Sequence, residues 1–229
     1  MGQITIRELE KLDFFEGIPQ DILQNLLNES TVASYKKKEV IFHSRTRTEF
    51  VYFVLSGEVM LYNLTKHGNR KVIFILGKGR LLNQSIVSKK PNALFGEAVC
   101  PVQALKIPDG VFLRLMEQCH ELTYSILREY ERNLWRMGHQ LKNTTGNMQT
   151  ERKIAAKLWK LGRDFGVETE EGVMVDIDLT ITLMADLVGV PRENVSRSCK
   201  VLTDRGLIRY SSKRFILTDF DGLTDFYKM

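Results

Sequence analysis

The spacing of hydrophobic residues changes several times along the chain, and each change predicts a different kind of element. From Glu8 to Ser30, Leu9, Leu12, Phe15, Ile18, Ile22, Leu23, Leu26 and Leu27 recur at three- and four-residue steps, broken near Gly17-Ile18-Pro19, which predicts short helices. Between about Thr31 and Ile107 the period is two. Val40-x-Phe42, Phe50-x-Tyr52-x-Val54, Val59-x-Leu61 and Val72-x-Phe74 alternate, with Gly57, Gly68, Gly77 and Gly79 at the breaks, the pattern of a small antiparallel barrel. From about Cys119 the helical period returns. Leu127, Tyr130, Leu134, Met137, Leu141, Thr144 and Met148 follow alternating three- and four-residue steps, a coiled-coil seam that a lone subunit would leave exposed. This predicts a parallel homodimer. Leu122 and Ile126 fall on a neighbouring face, available to the barrel, and Asn143-Thr144-Thr145-Gly146-Asn147 weakens the helix and marks a hinge.

Beyond the hinge, Glu151 to Asp164 reads as a helix with Ile154, Ala155, Leu158 and Leu161 inward, and Val173-x-Val175-x-Ile177 as a strand. Thr180 can cap a short helix carrying Met184, Leu187 and Val188, with Gly189 at its corner. Pro191 then sits at or beside the start of a second helix, where a missing N–H costs least. On that helix Glu193, Ser196, Arg197 and Lys200 share one face, while Val195, Cys199 and Leu202 share another. Gly206 to Tyr210, then Ser211-Ser212, then Lys213 to Leu217 reads as a two-strand hairpin, and Asp219 to Met229 as a closing helix. Two helices joined by a glycine turn and followed by a hairpin make a winged helix-turn-helix, whose second helix would enter a DNA major groove.

The outward side chains suit base edges. Arginine can fork onto guanine O6 and N7, glutamate can accept from cytosine N4, and serine can serve either a base or a phosphate. Arg192, Glu193, Ser196 and Arg197 are therefore the candidate base-reading residues, and Ser198, Lys200, Arg209, Lys213 and Arg214 the candidate phosphate contacts. The segment Arg192-Glu193-x-Val195-Ser196-Arg197, with Val201-Leu202-x-x-x-Gly206-Leu207-Ile208 after it, resembles the DNA-reading segment of the Crp/Fnr superfamily of bacterial transcription regulators. Tyr52 to Val59, the His67-Gly68-Asn69 turn and Ile75 to Gly79 resemble the cyclic-nucleotide-binding jelly roll of the same superfamily. The resemblance implies an α+β chain: an effector-sensing N-terminal antiparallel jelly-roll β-barrel over 1–118, a dimerisation helix and hinge over 119–148, and a C-terminal winged helix-turn-helix over 149–229. It also implies a homodimer on palindromic double-stranded DNA with TTGA- or GTGA-like half-sites and RNA polymerase as a partner. One helix that touches both the barrel and its twin gives an effector a route to the DNA by repacking the seam, unless the seam merely holds the dimer.

The sensor departs from the cyclic-AMP members of that superfamily. They hold the cyclic phosphate with a Gly-Glu-x-Gly/Ala segment and a later Arg-Ser/Thr pair. In register this chain has Leu81-Leu82-Asn83-Gln84-Ser85 and then Ala93-Leu94-Phe95. The acid has become Gln84 and the arginine is absent, which argues against cyclic AMP. Phe95-Gly96-Glu97-Ala98 has the right letters about a dozen residues too late. Asn83, Gln84, Leu122 and Ile126 are the candidate lining of the effector pocket, and the effector itself stays unnamed. Lys89-Lys90-Pro91-Asn92 could offer charge to another anion or be a solvated loop. Haem through His67, His120 or His139 has no supporting spacing. An iron–sulfur cluster of the Fnr kind is not expected, because no cysteine precedes Cys100. Cys100, Cys119 and Cys199 are too scattered for a disulfide framework or zinc site; core roles suit Cys100 and Cys199, with redox sensing by Cys100 or Cys119 left open.

Composition adds little to this reading. The 229 residues, 43% hydrophobic and 27% charged, suit two modest domains, and the N-terminus carries no signal-peptide or membrane-spanning pattern, so a cytoplasmic protein is expected. The net charge of +5 is weak support for DNA binding, since residues 150–229 are neutral overall; within 191–214, however, seven Lys and Arg stand against two Asp and Glu. Two other classes stay open from the residues alone. A jelly-roll metal-dependent oxygenase would need clustered ligands, whereas His43 and His67 are isolated in the barrel. A small-molecule-binding module with a vestigial DNA domain would lack the base-reading side chains. Nothing in the motifs points to catalysis.

Overall fold

The computed structural model describes residues 4–144 and 148–228, apart from the side chains of 141–144. Its α+β chain divides into two compact units, Met1–Asn63 with Ile73–Met137 and Leu64–Val72 with Gly138–Met229. The expected hinge and Leu141 of the expected seam lie largely outside the described residues.

Short helices α1 (Ile6–Glu10) and α2 (Gln20–Asn28) precede strands β1 (Thr31–Tyr35), β2 (Val40–Phe42), β3 (Phe50–Ser56), β4 (Val59–Leu64), β5 (Arg70–Leu76), β6 (Phe95–Ala98) and β7 (Val102–Pro108), all in the first unit except the end of β4 at Leu64 and the start of β5 up to Val72. They form two sheets, ordered β1-β7-β3 and β2-β6-β4-β5, in which β7 runs antiparallel to β1 and β3, and β6 antiparallel to β2 and β4. Strand β3 shows why the period-two pattern packs. Tyr52 and Val54 point into the space between the sheets, with Phe42, Leu61, Phe74 and Ala104. Val51 and Phe53 point the other way, into a second core built from Leu9, Phe15, Leu23 and Leu26 with Phe112 and Leu115 of α3 (Asp109–Gln118). Both faces of β3 are thus buried, each large side chain contributing roughly 1.5–3 kcal/mol of hydrophobic stabilisation. The turn into β4 requires Gly57, whose φ is 79° and where a Cβ would stand 2.4 Å from the Pro101 carbonyl oxygen.

Helix α4 (His120–Thr144) follows. Leu122 and Ile126 are 0% and 2% exposed and belong to the second core, where they anchor the helix. Tyr130 continues that line: it is half-buried against the same core, and burial pushes its phenol up to about 12. Leu127, Leu134 and Met137 of the expected seam do stand out, 58%, 72% and 45% exposed, and Tyr124 joins them at 55%. Tyr130 therefore leaves the expected stripe, and Tyr124 enters it.

The second unit holds α5 (Thr150–Phe165), β8 (Gly166–Thr169), β9 (Gly172–Val175), α6 (Ile181–Val188), α7 (Arg192–Asp204), β10 (Ile208–Ser211), β11 (Arg214–Leu217) and α8 (Phe220–Lys228). Ile154, Ala155, Leu158 and Leu161 of α5 are buried as their spacing predicts. The four strands form one antiparallel sheet ordered β10-β11-β9-β8. Trp159 of α5 packs on Phe220 and Tyr227 of α8, ring centroids 5.7 and 5.9 Å apart.

Candidate nucleic-acid interface

Local chemistry holds α6 and α7 at a fixed angle. Thr180 caps α6, its hydroxyl accepting from the Leu183 N–H at 3.1 Å. Gly189 ends the helix in the left-handed region, φ 76°, and its N–H returns to the Ala185 carbonyl at 2.8 Å. Pro191 is the N-cap of α7, which makes Arg192 the first helical residue. Val195, Cys199 and Leu202 are buried, at 0%, 6% and 0% exposure. Arg192, Glu193, Ser196, Arg197 and Lys200 are all exposed. One face of α7 is thus fixed in the core and the other is free to enter a groove. Arg197 Nη2 donates to Asn194 Oδ1 one turn earlier, a contact that spacing alone did not single out. It preorients the guanidinium along the helix surface.

Ser198 corrects the list of phosphate contacts. It lies three residues from Val195 and four from Leu202, is 2% exposed, and donates from its hydroxyl to Glu151 Oε1 on α5 at 3.2 Å. Its side chain locks α7 onto α5 and faces away from solvent. The other contacts lie on the outside. The β10–β11 turn consists of Ser212 and Lys213, both with positive φ (50° and 63°), because Ser211 pairs with Arg214; the reversal falls one residue later than the sequence predicts. Lys213 is thereby raised to the tip of the wing. Arg209 pairs with Glu171 at 2.6 Å and Arg214 with Asp176. Both pairs sit at the surface, where such contacts are weak enough to exchange for phosphate.

The sensor residues are placed differently from expectation. Asn83 is buried and fully used: its Oδ1 accepts from the Tyr52 N–H at 2.8 Å and its Nδ2 donates to the Phe50 carbonyl at 2.9 Å. Gln84 Oε1 accepts from the N–H groups of Ala93 and Leu94 at 3.1 and 3.2 Å, and its Nε2 donates to the Leu82 carbonyl at 3.1 Å. These two side chains brace the 81–94 loop, while Leu122 and Ile126 lie in closed core, so none of the four is an open pocket wall. The residues present do not fit a cyclic phosphate. Ala93-Leu94-Phe95, in the register expected for the Arg-Ser/Thr pair, offers no cation, and the amide oxygen of Gln84 is committed to backbone. Phe95-Gly96-Glu97-Ala98 is strand β6, with Glu97 2% exposed and accepting from the Tyr62 hydroxyl at 3.1 Å.

Two sequence models match the chain in this order: a cyclic nucleotide-binding domain over residues 32–119 and a Crp-like helix-turn-helix domain over residues 152–226. The chain belongs to the Crp/Fnr family of transcription regulators. Among its Crp/Fnr relatives, the CRP-like cAMP-activated global transcriptional regulator of Mycobacterium tuberculosis is 22% identical over 216 residues, covering 94% of this chain and 96% of that one. The global nitrogen regulator of a Nostoc species is 24% identical over 186 residues, covering 80% and 83%. In fold, the chain resembles FixK2 from Bradyrhizobium japonicum, with a TM-score of 0.74 at 20% identity over 86% of this chain and 96% of that one. These relatives are regulators, which sets the oxygenase alternative aside.

The cysteines of this Crp/Fnr chain differ in burial. Cys119 and Cys199 are buried, and burial raises both thiols, Cys199 to about 11, which disfavours the reactive thiolate at each. Cys100 is half-buried and donates to Glu58 Oε2 at 2.9 Å. Iodoacetamide at about pH 8 should label Cys100 ahead of the other two. Peptide mass spectrometry reads the order, and early labelling of Cys199 would contradict the packing of α7.

Proposed function

We propose that the protein is a sequence-specific regulator that binds, as a homodimer, a palindrome with TTGA- or GTGA-like half-sites. Residues 1–118 sense an effector other than cyclic AMP, 119–148 form the dimer helix and hinge, and 149–229 read DNA. The observation that carries the reading is the exposed row of Arg192, Glu193, Ser196 and Arg197 on a helix whose opposite face is buried. Arg192 and Arg197 match guanine, Glu193 matches cytosine N4, and Ser196 serves a base or a phosphate. Lys200, Arg209, Lys213 and Arg214 supply phosphate contacts. RNA polymerase is the expected protein partner and the cytoplasm the expected location; no helix among the described residues is long and apolar enough to cross a membrane.

Fluorescence anisotropy on a palindromic duplex and on a scrambled one, across a salt series, tests this. Affinity should fall with salt at a log–log slope of about −0.9 per phosphate neutralised, and Lys213→Ala should reduce that slope by about one per protomer while weakening both duplexes alike. A shallow slope with equal binding to both duplexes would remove the regulator reading.

A further inference from the structure

Helix α4 is inverted relative to an ordinary surface helix. Leu127 and Leu134 are 58% and 72% exposed, whereas Glu129 and Arg136 are only 5% and 7% exposed. Charged residues are rarely enclosed unless something offsets the loss of water. Glu129, Arg132, Asn133 and Arg136 fall at i, i+3, i+4 and i+7, a single stripe on the side of the helix away from Leu127 and Leu134. Within the first unit this stripe is only partly satisfied. Glu129 Oε2 accepts from Arg80 Nη1 at 3.4 Å, and Arg132 Nη1 lies 3.5 Å away from it. Glu129 Oε1, Arg132 Nη1 and Asn133 Oδ1 are buried and make no hydrogen bond. The Arg136 guanidinium lies 5.5 Å from the centre of the Phe74 ring.

Three buried polar atoms without hydrogen bonds on one stripe cost more than a closed hydrophobic contact would, so the stripe has bonding capacity that a further polar group could take up. Two of the three atoms are acceptors and one is a donor. The flanking charge is positive, since Arg80, Arg132 and Arg136 outnumber Glu129 and the Asp13 carboxylate that pairs with Arg80 at 3.4 Å. Building on the effector-sensing role proposed for this unit, we propose that the inward stripe of α4 recognises a small organic anion that also carries an N–H donor, the charge pattern of an acidic amino acid. Its ammonium donates to Glu129 Oε1 and Asn133 Oδ1, and a carboxylate accepts from Arg132.

Thermal melting of the full-length protein tests this with L-glutamate and L-aspartate against glutarate and succinate, which keep both carboxylates and lack the amine. At about 10 mM, glutamate or aspartate should raise Tm in a concentration-dependent way, and the amine-free acids should not at equal ionic strength. Glu129→Gln and Asn133→Ala should each weaken the response about tenfold. Asn133 is only half-buried, so its variant remains informative if Glu129→Gln melts early. Equal stabilisation by the amine-free acids, or none by either amino acid, overturns the proposal. Specific DNA binding measured in parallel separates the two readings. If it persists without a ligand-induced Tm shift, this proposal alone falls; if it is lost while the shift remains, the regulator reading alone falls.

Discussion

Arg197→Ala should abolish preference at one base pair of each half-site while leaving the fold and the oligomeric state unchanged. The side chain is exposed and, among the described residues, bonds to Asn194 on its own helix, so truncation opens no cavity and strands no buried partner. What is lost is a bidentate contact to a base edge, about 1–3 kcal/mol of discrimination, or roughly 5- to 150-fold in relative affinity for the correct base pair. Arg197→Lys separates charge from geometry: lysine keeps attraction to phosphate but lacks the planar fork, so it should retain the salt slope and lose most of the discrimination. The measurement is anisotropy against a set of duplexes carrying each base pair in turn at every half-site position. A variant with the wild-type ranking would remove Arg197 from the reading surface. Glu193→Ala makes an independent companion, expected to relax a different position.

The reading face of α7 was legible because a 3.6-residue period divides Val195, Cys199 and Leu202 from Arg192, Glu193, Ser196 and Arg197 without reference to tertiary structure. The same arithmetic contained the correction at Ser198, which shares the face of Val195 and Leu202. A hydroxyl type expected near DNA overrode the spacing, and the partner that buries it, Glu151, lies 47 residues away. Tyr130 is a similar case. Three residues from Leu127 it fits a seam, yet it also extends the Leu122–Ile126 line, and the core of its own unit takes it. Strand β8 was invisible because all four of its residues are exposed and show no alternation. The inward polar stripe of α4 was hidden for the opposite reason: charged residues at helical spacing look like a solvated face until their burial is known.

Leu127→Glu together with Leu134→Glu should convert the protein from dimer to monomer, with light scattering after gel filtration moving from twice 26.4 kDa to 26.4 kDa. Tyr124, Leu127 and Leu134 follow one another at three and seven residues, so they lie along one side of α4 as an apolar ribbon exposed in the single chain. In a parallel pair each residue meets its own copy, so the double substitution brings four carboxylates into one seam. The repulsion adds to the lost apolar burial. The unit's own core is spared, because Leu122, Ile126 and Tyr130 on the neighbouring face stay in place. Melting should therefore remain cooperative. A palindrome draws its affinity from two linked heads, and with the link cut each head binds a half-site alone, so affinity should fall about 100-fold or more. Tyr130→Phe is the matched control, since its side chain faces the core and its loss of a hydroxyl should leave the dimer intact. If the double variant stays dimeric, the ribbon is not the interface, and the two reading helices must be paired through some other surface.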